Sequence, residues 1–265
     1  MYLTRFRINT ARPGARRLLS SPQALHAAVL SGFPDLLPGD TPTPGEPRVL
    51  WRLDQQARAQ VLLYIVSPAA PDLTHLVEQA GWPAAAAANP DSPGWQTRPY
   101  APLLDRLTNG DHWSFRLTAN PVHTIRRTPD ESRKITAHLT PVHQKGWLLD
   151  EQRQQRCGFR ILEKTAERRL LPDGTTHQGR PHPGDRHELT VIDTRTLSFA
   201  KSREADGRRK GKPVTVVTAT FDGRLEVTDP DALRRTLTQG IGKARAYGCG
   251  LLTLAPLAPD RRTPA

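Results

Sequence analysis

Polar and apolar residues alternate from Tyr2 to Asn9 (YLTRFRIN), the period of a strand with one face on a core. Arg12, Pro13, Gly14, Arg16 and Arg17 then mark 10–20 as a basic loop. Ser21 followed by Pro22 is a helix start, and Leu25, Ala28, Val29 and Gly32 recur at helical spacing until Pro34 stops the run. Residues 34–47 are a Pro/Gly/Asp-rich loop. Val49–Asp54 and Gln60–Ser67 read as a hairpin, Pro71–Gln79 as a short helix and 80–99, with its five alanines, as a loose loop. Residues 98–108 have no decisive period; a strand there would complete a β-α-β-β-α-β order.

The pattern then repeats in kind. His112–Ala119 (HWSFRLTA) alternates cleanly and ends at Asn120-Pro121, and 122–140 follows as a basic loop. A helix is predicted over 140–155, with Trp147, Leu148, Val142 and Cys157 inward. Phe159–Thr165 is a strand and 172–187 an irregular insertion. Leu189–Ala200 and Pro213–Val227 are long β-type runs flanking KSREADGRRKGK, which reads as the cationic tip of a hairpin. Asp229 caps a helix that opens on Pro230 and closes at Gly240, and Cys249–Leu257 is a last strand. The expected fold class is α+β: two tandem ferredoxin-like (RRM-like) βαββαβ domains, residues 1–110 and 111–258, with a tail at 259–265.

Charge narrows the function. Lys plus Arg is 38 against 26 Asp plus Glu, a net +12 over 265 residues, which points to a polyanionic partner, nucleic acid or an acidic membrane surface. No run approaches the roughly 18 apolar residues of a membrane span, so no membrane insertion is expected. The first residues lack the apolar stretch of a secretory signal, and two cysteines make neither a disulfide framework nor a four-thiolate zinc site; a cytoplasmic setting is expected.

Three basic segments stand out: Arg12, Arg16 and Arg17 in a stretch of 34 residues without an acid; Arg126, Arg127, Arg133 and Lys134; and Lys201, Arg203, Arg208, Arg209 and Lys210 at the hairpin tip. Recurring at similar points of two halves, they could line one cleft. Aromatics are only 6% of the chain and the RRM aromatic signature is absent, which favours a folded RNA stem over an unstructured strand. In GIGKARAYGCG, Gly240, Gly242, Gly248 and Gly250 could bring backbone N–H groups, with Lys243 and Arg245, to phosphates; the same glycines equally suit a helix cap and a packed turn. No HExxH, P-loop or GxSxG motif occurs, and His177, His182 and His187 lie in a loop without a companion cysteine, so no metal and no small-molecule cofactor are expected. His26, at the edge of the apolar stripe of its helix and close to the arginines, is either a packing residue or an acid/base group.

FDGRLEVTDPDALRRTLTQGIGKARAYGCGLLTLAPL (221–257), SFRLTANPVHT (114–124), MYLTRFRI and SPQALHAAVL together resemble the CasE family, the CRISPR-associated endoribonucleases of type I-E systems, over nearly the whole chain. The resemblance implies cleavage of CRISPR precursor RNA at the 3′ base of each repeat stem-loop, without metal. It also implies retention of the mature guide and partnership with the other subunits of Cascade. It places the family's histidine on His26, the stem-contacting basic hairpin around Lys201 and Arg203, and the glycine-rich loop on 240–250. Where relatives often carry a tyrosine three residues before the histidine, this chain has Gln23. The chemistry expected is attack by the RNA's own 2′-hydroxyl, with His26 as acid or base and Lys201 stabilising the transition state, giving 5′-hydroxyl and 2′,3′-cyclic phosphate ends. The alternatives are a non-catalytic binder of structured RNA and a DNA-binding protein.

Overall fold

The computed structural model describes residues 1–34, 45–55, 60–89, 93–125, 134–165, 186–199 and 214–257. In the first half, β1 (Tyr2–Ile8) follows the alternation of its sequence: Thr4, Phe6 and Ile8 are buried, Arg5 and Arg7 exposed. The expected basic loop at 10–20 is instead a helix, α1 (Pro13–Ser20). Pro13 opens it, and Ala15 and Leu18, one turn apart, are buried while Arg16 and Arg17 stay in solvent. α2 (Pro22–Leu30) starts as its sequence predicts: the Ala24 N–H donates to Ser21 Oγ at 3.2 Å, and Leu25 and Val29 face the core.

β2 (Leu50–Gln55) and β3 (Val61–Ser67) form the expected antiparallel pair, and α3 (Thr74–Ala80) buries Leu76, Val77 and Ala80. The alanine run is not loose: it forms α4 (Pro83–Ala87), as befits the best helix former. The fourth strand is β4 (Trp95–Pro99), earlier than the 98–108 expected; Pro102 then opens α5 (Ala101–Asp105), which buries Leu104. The sheet order is β2-β3-β1-β4, entirely antiparallel, with Phe6 opposite both Leu63 and Trp95. This is the ferredoxin-like arrangement.

The second half opens with β5 (His112–Ala119). The expected loop over 122–140 contains a two-stranded ribbon, β6 (Val122–Ile125) with β7 (Lys134–Ala137). The single helix expected at 140–155 is two, α6 (Pro141–Leu148) and α7 (Glu151–Cys157). They are separated because Asp150 leaves the helix to cap the second, accepting the Arg153 N–H at 2.8 Å. Trp147 and Leu148 are buried as expected, Cys157 is half-buried, and Val142 is exposed.

β8 (Phe159–Ile161) is shorter than predicted. β9 (Leu189–Phe199) and β10 (Val214–Val227) are the long pair of the sequence, and β10 carries β8 and β9 in series on one edge and β5 on the other. α8 (Pro230–Gln239) is capped by Asp229, which accepts from the Ala232 N–H at 2.9 Å. After a 3-10 turn at Arg245–Tyr247, β11 (Leu252–Ala255) pairs with β5. The order β11-β5-β10-β8 repeats that of the first sheet. The two halves share a core: Leu50, Val66, Tyr100, Leu104 and Leu107 pack with Trp113, Phe115, Leu225, Leu233 and Leu252. Among the described residues no helix is long and apolar enough to cross a membrane.

Candidate functional site

α1 and α2 form an elbow that sets His26 on the outer half of α2. The ring is half-buried, and its Nδ1 accepts the indole N–H of Trp51 at 3.2 Å. Burial holds its pKa below the ordinary histidine value. Trp51 lies on β2, 2% exposed. Its six-membered ring sits against Gly248, where an added Cβ would stand 2.6 Å from a ring atom; Gly248 also has φ +79°, in the left-handed region. The turn Arg245–Tyr247 packs on α2 and β2. A histidine from the first half and the glycine-rich segment from the second, more than 200 residues apart in sequence, therefore meet across one indole.

The glycine-rich segment is tied down by its own backbone. The Gly240 N–H donates to the Thr236 carbonyl and ends α8, the Ile241 N–H donates to the Gly250 carbonyl, and the Gly250 N–H donates to the Thr118 carbonyl at 2.7 Å. Gly242 faces Trp147. Helix cap and packed turn thus account for these glycines, and the charges in between remain available. Lys243 is exposed. Arg245 is half-buried, with one guanidinium N–H on the Gly240 carbonyl at 3.2 Å and its Nε sealed without a partner. Burial and the nearby charge of Arg48 lower its pKa, and the Arg48 Nε is likewise sealed and unpartnered.

Arg153, Arg156, Arg235, Lys243 and Arg245 line a cavity of about 380 Å³ between α7, α8 and this segment, with no carboxylate in its wall. Two neighbouring guanidiniums without a counter-charge form an anion-seeking arrangement. The sequence reading missed Arg48, Arg153, Arg156 and Arg235, because they come from distant stretches of the chain and only the fold brings them towards Arg245. The spacing of Arg153 and Arg156, one turn apart on α7, was the available signal.

The other basic residues divide. Arg12 is committed to the C-terminal carbonyls of α3, donating to Glu78 O at 2.5 Å and Gln79 O at 3.4 Å, and Arg16 donates to Ala11 O at 3.0 Å. Arg17 is exposed in the last turn of α1, and Lys134 is exposed at the start of β7. Arg126, Arg127, Arg133, Lys201, Arg203, Arg208, Arg209 and Lys210 lie outside the described residues. The chain enters 200–213 from Phe199, whose ring packs edge-on against Tyr247 at 4.7 Å, on the same turn that covers α2.

His177 and His182 are outside the described residues. His187 pairs with Glu163 in an isolated bridge. His123, His138 and His143 stack with centroids 4.3 and 5.9 Å apart, and among the described residues no cluster of three His, Cys, Asp or Glu side chains could hold a metal ion. Cys249 is buried, its thiol pKa pushed up to about 12, so it is inert.

Comparison with known proteins follows the same lines. The family described as "CRISPR associated protein" matches residues 1–256. The CRISPR-associated endoribonuclease Cse3 of Thermus thermophilus is 30% identical over 257 residues, 97% of this chain and 100% of that protein. The Cascade subunit CasE of Escherichia coli is 49% identical over 143 residues, 54% of this chain and 57% of that one. A solved structure of the CRISPR endoribonuclease Cse3 bound to a 19-nucleotide RNA superposes with a TM-score of 0.67 at 28% identity, covering 97% and 100% of the two chains. A match along almost its entire length therefore makes this chain a member of the CRISPR-associated CasE (Cse3) family.

Proposed function

We propose that this chain is an endoribonuclease that cuts CRISPR precursor RNA at the 3′ base of the repeat stem-loop and keeps the mature guide, within a Cascade assembly. The observation that carries the reading is the meeting of His26 with the glycine-rich segment at Trp51, beside a cavity lined by cations and no acid. The two relatives, named an endoribonuclease and a Cascade subunit, support it, as does the RNA-bound neighbour.

RNA supplies its own nucleophile, the 2′-hydroxyl beside the scissile phosphate. His26 is the group that moves a proton, taking one from the 2′-hydroxyl or delivering one to the departing 5′ oxygen, steps that one ring performs at different moments. Neither step calls for a metal. Charge building on the phosphoryl oxygens is met by Lys201. Arg17, Lys134, Lys243 and Arg245, with the cations of 126–133 and 201–210, hold the stem through its phosphates.

The test is incubation with a repeat stem-loop RNA in EDTA and analysis of the ends. A 5′-hydroxyl and a 2′,3′-cyclic phosphate are expected. His26→Ala loses roughly 10²–10⁴-fold in rate while binding the stem-loop as before, and a 2′-deoxy residue at the cut stops cleavage but not binding. Cleavage of the deoxy RNA at the normal rate overturns the chemistry. No cleavage by the unmodified protein leaves a stem-loop binder, the reading that Gln23 in place of the relatives' tyrosine favours.

A further inference from the structure

We propose that Trp51 is a positioning residue for His26. By donating its indole N–H to Nδ1, it fixes the proton of the neutral ring on Nε2 and opposes the doubly protonated ring. The inference rests on His26 as the residue that moves the proton, and it adds what governs that proton.

A neutral imidazole has one N–H and one lone pair, and an indole N–H can only donate. With Trp51 Nε1 at 3.2 Å, Nδ1 must be the acceptor and Nε2 the protonated nitrogen. The charged ring carries N–H on both nitrogens, so charging it sets two donors against each other unless Trp51 lets go. The only lone pair able to take a proton is the one Trp51 occupies. While that bond holds, Nε2 meets the RNA as a donor, the polarity that suits a phosphoryl oxygen; the ring takes up or gives up a proton only once Nδ1 leaves the indole, so the bond sets the pH at which His26 enters the reaction.

Trp51 is poorly placed to yield. It is 2% exposed on β2, and Gly248 closes on its ring at the distance only a missing Cβ permits. The surroundings do nothing to favour the charged ring. The elements packed on α2 bring Arg16 and Arg17 from α1, His75 from α3, whose Nε2 lies 2.7 Å from the Ala28 carbonyl, and Arg245 and Tyr247 from the turn, with Arg48 ahead of β2. Asp54, the carboxylate of β2, is held by Arg52 at 2.6 Å and faces Arg116 at 3.6 Å. The indole bond is thus the specific control on where the proton of His26 resides.

The experiment uses the full chain with ring-15N histidine, unmodified and as Trp51→Phe, which keeps an aromatic side chain on β2 and removes the indole N–H together with the bulk of the second ring. In the unmodified protein the neutral His26 ring is expected wholly as the Nε2–H form. In Trp51→Phe its titration midpoint rises by about 0.5–1 pH unit, the size of one hydrogen bond. The His26-dependent limb of the single-turnover cleavage profile moves upward by the same interval, and affinity for the stem-loop stays within twofold. A merely structural role would lower the rate at every pH and leave the limb in place, which overturns the proposal. So does an Nδ1–H ring in the unmodified protein, a measurement that stands even if the variant fails to fold. If His26→Ala cuts normally, the proton-carrier reading falls, and the titration still decides what Trp51 does.

Discussion

His26 is held where burial and reactivity oppose each other. Its helix faces the core through Leu25 and Val29, so the ring cannot be fully solvated, and its pKa falls because water is excluded. His138 is depressed too, first by burial and then by the charges of His123, His143 and Arg153. A depressed histidine is charged more readily in the unfolded chain. Between its folded value and the ordinary one near 6.5 the unfolded state binds more protons, so stability rises with pH across that window. The thermal midpoint of the apo protein is therefore expected to fall on acidification from pH 7 towards pH 5. The fall is shallower in His26→Gln or His138→Gln, each of which removes one of the protons taken up. A midpoint equally pH-dependent in both variants would assign the acid sensitivity to other groups.

At the scale of elements, the glycine-rich segment acts as a wedge between a tryptophan and a helix. Gly248→Ala would force a left-handed backbone on alanine and drive a methyl into the indole ring. The expected cost is about 1–3 kcal/mol, read as a lower urea midpoint, together with the same upward shift of the His26-dependent limb as in Trp51→Phe, because Trp51 is pushed off His26; full stability and an unmoved limb would refute the wedge. The caps at Ser21 and Asp229 and the alternation in β1 and β5 were legible in the sequence, since local chemistry decides them. α1 was not, because its Arg/Pro/Gly composition hid two buried residues one turn apart. β4 and α5 were exchanged for a single strand because Pro99 and Pro102 admit both readings and only pairing with β1 settles them. His26 and the glycines could be picked out, whereas their junction at Trp51 depends on two strands and a turn far apart in sequence.

At the scale of the molecule, one buried arginine ties the halves together. Arg52 is 2% exposed and grips Asp54, while its other N–H groups reach the Arg116 and Leu251 carbonyls and Thr253 Oγ1, all in the second half. Arg116 in turn holds Asp222 at 2.5 Å. Acids are thus spent inside the junction, while the cavity wall between α7, α8 and the glycine-rich segment holds Arg153, Arg156, Arg235, Lys243 and Arg245 and no carboxylate, with Asp150 3.9 Å from Arg153 at its edge. A surface of this kind binds RNA by releasing counterions, so log K should fall linearly with log salt, by about 0.9 per phosphate neutralised on a duplex. Arg235→Ala combined with Lys243→Ala is expected to lower that slope by about two and to weaken binding to all stem sequences alike. The single-turnover rate of saturated RNA should be unchanged, because neither residue touches His26. An unchanged slope would mean that this face meets solvent and the stem runs elsewhere. A smaller slope with a slower cut would mean that these cations also steer the scissile phosphate towards the ring.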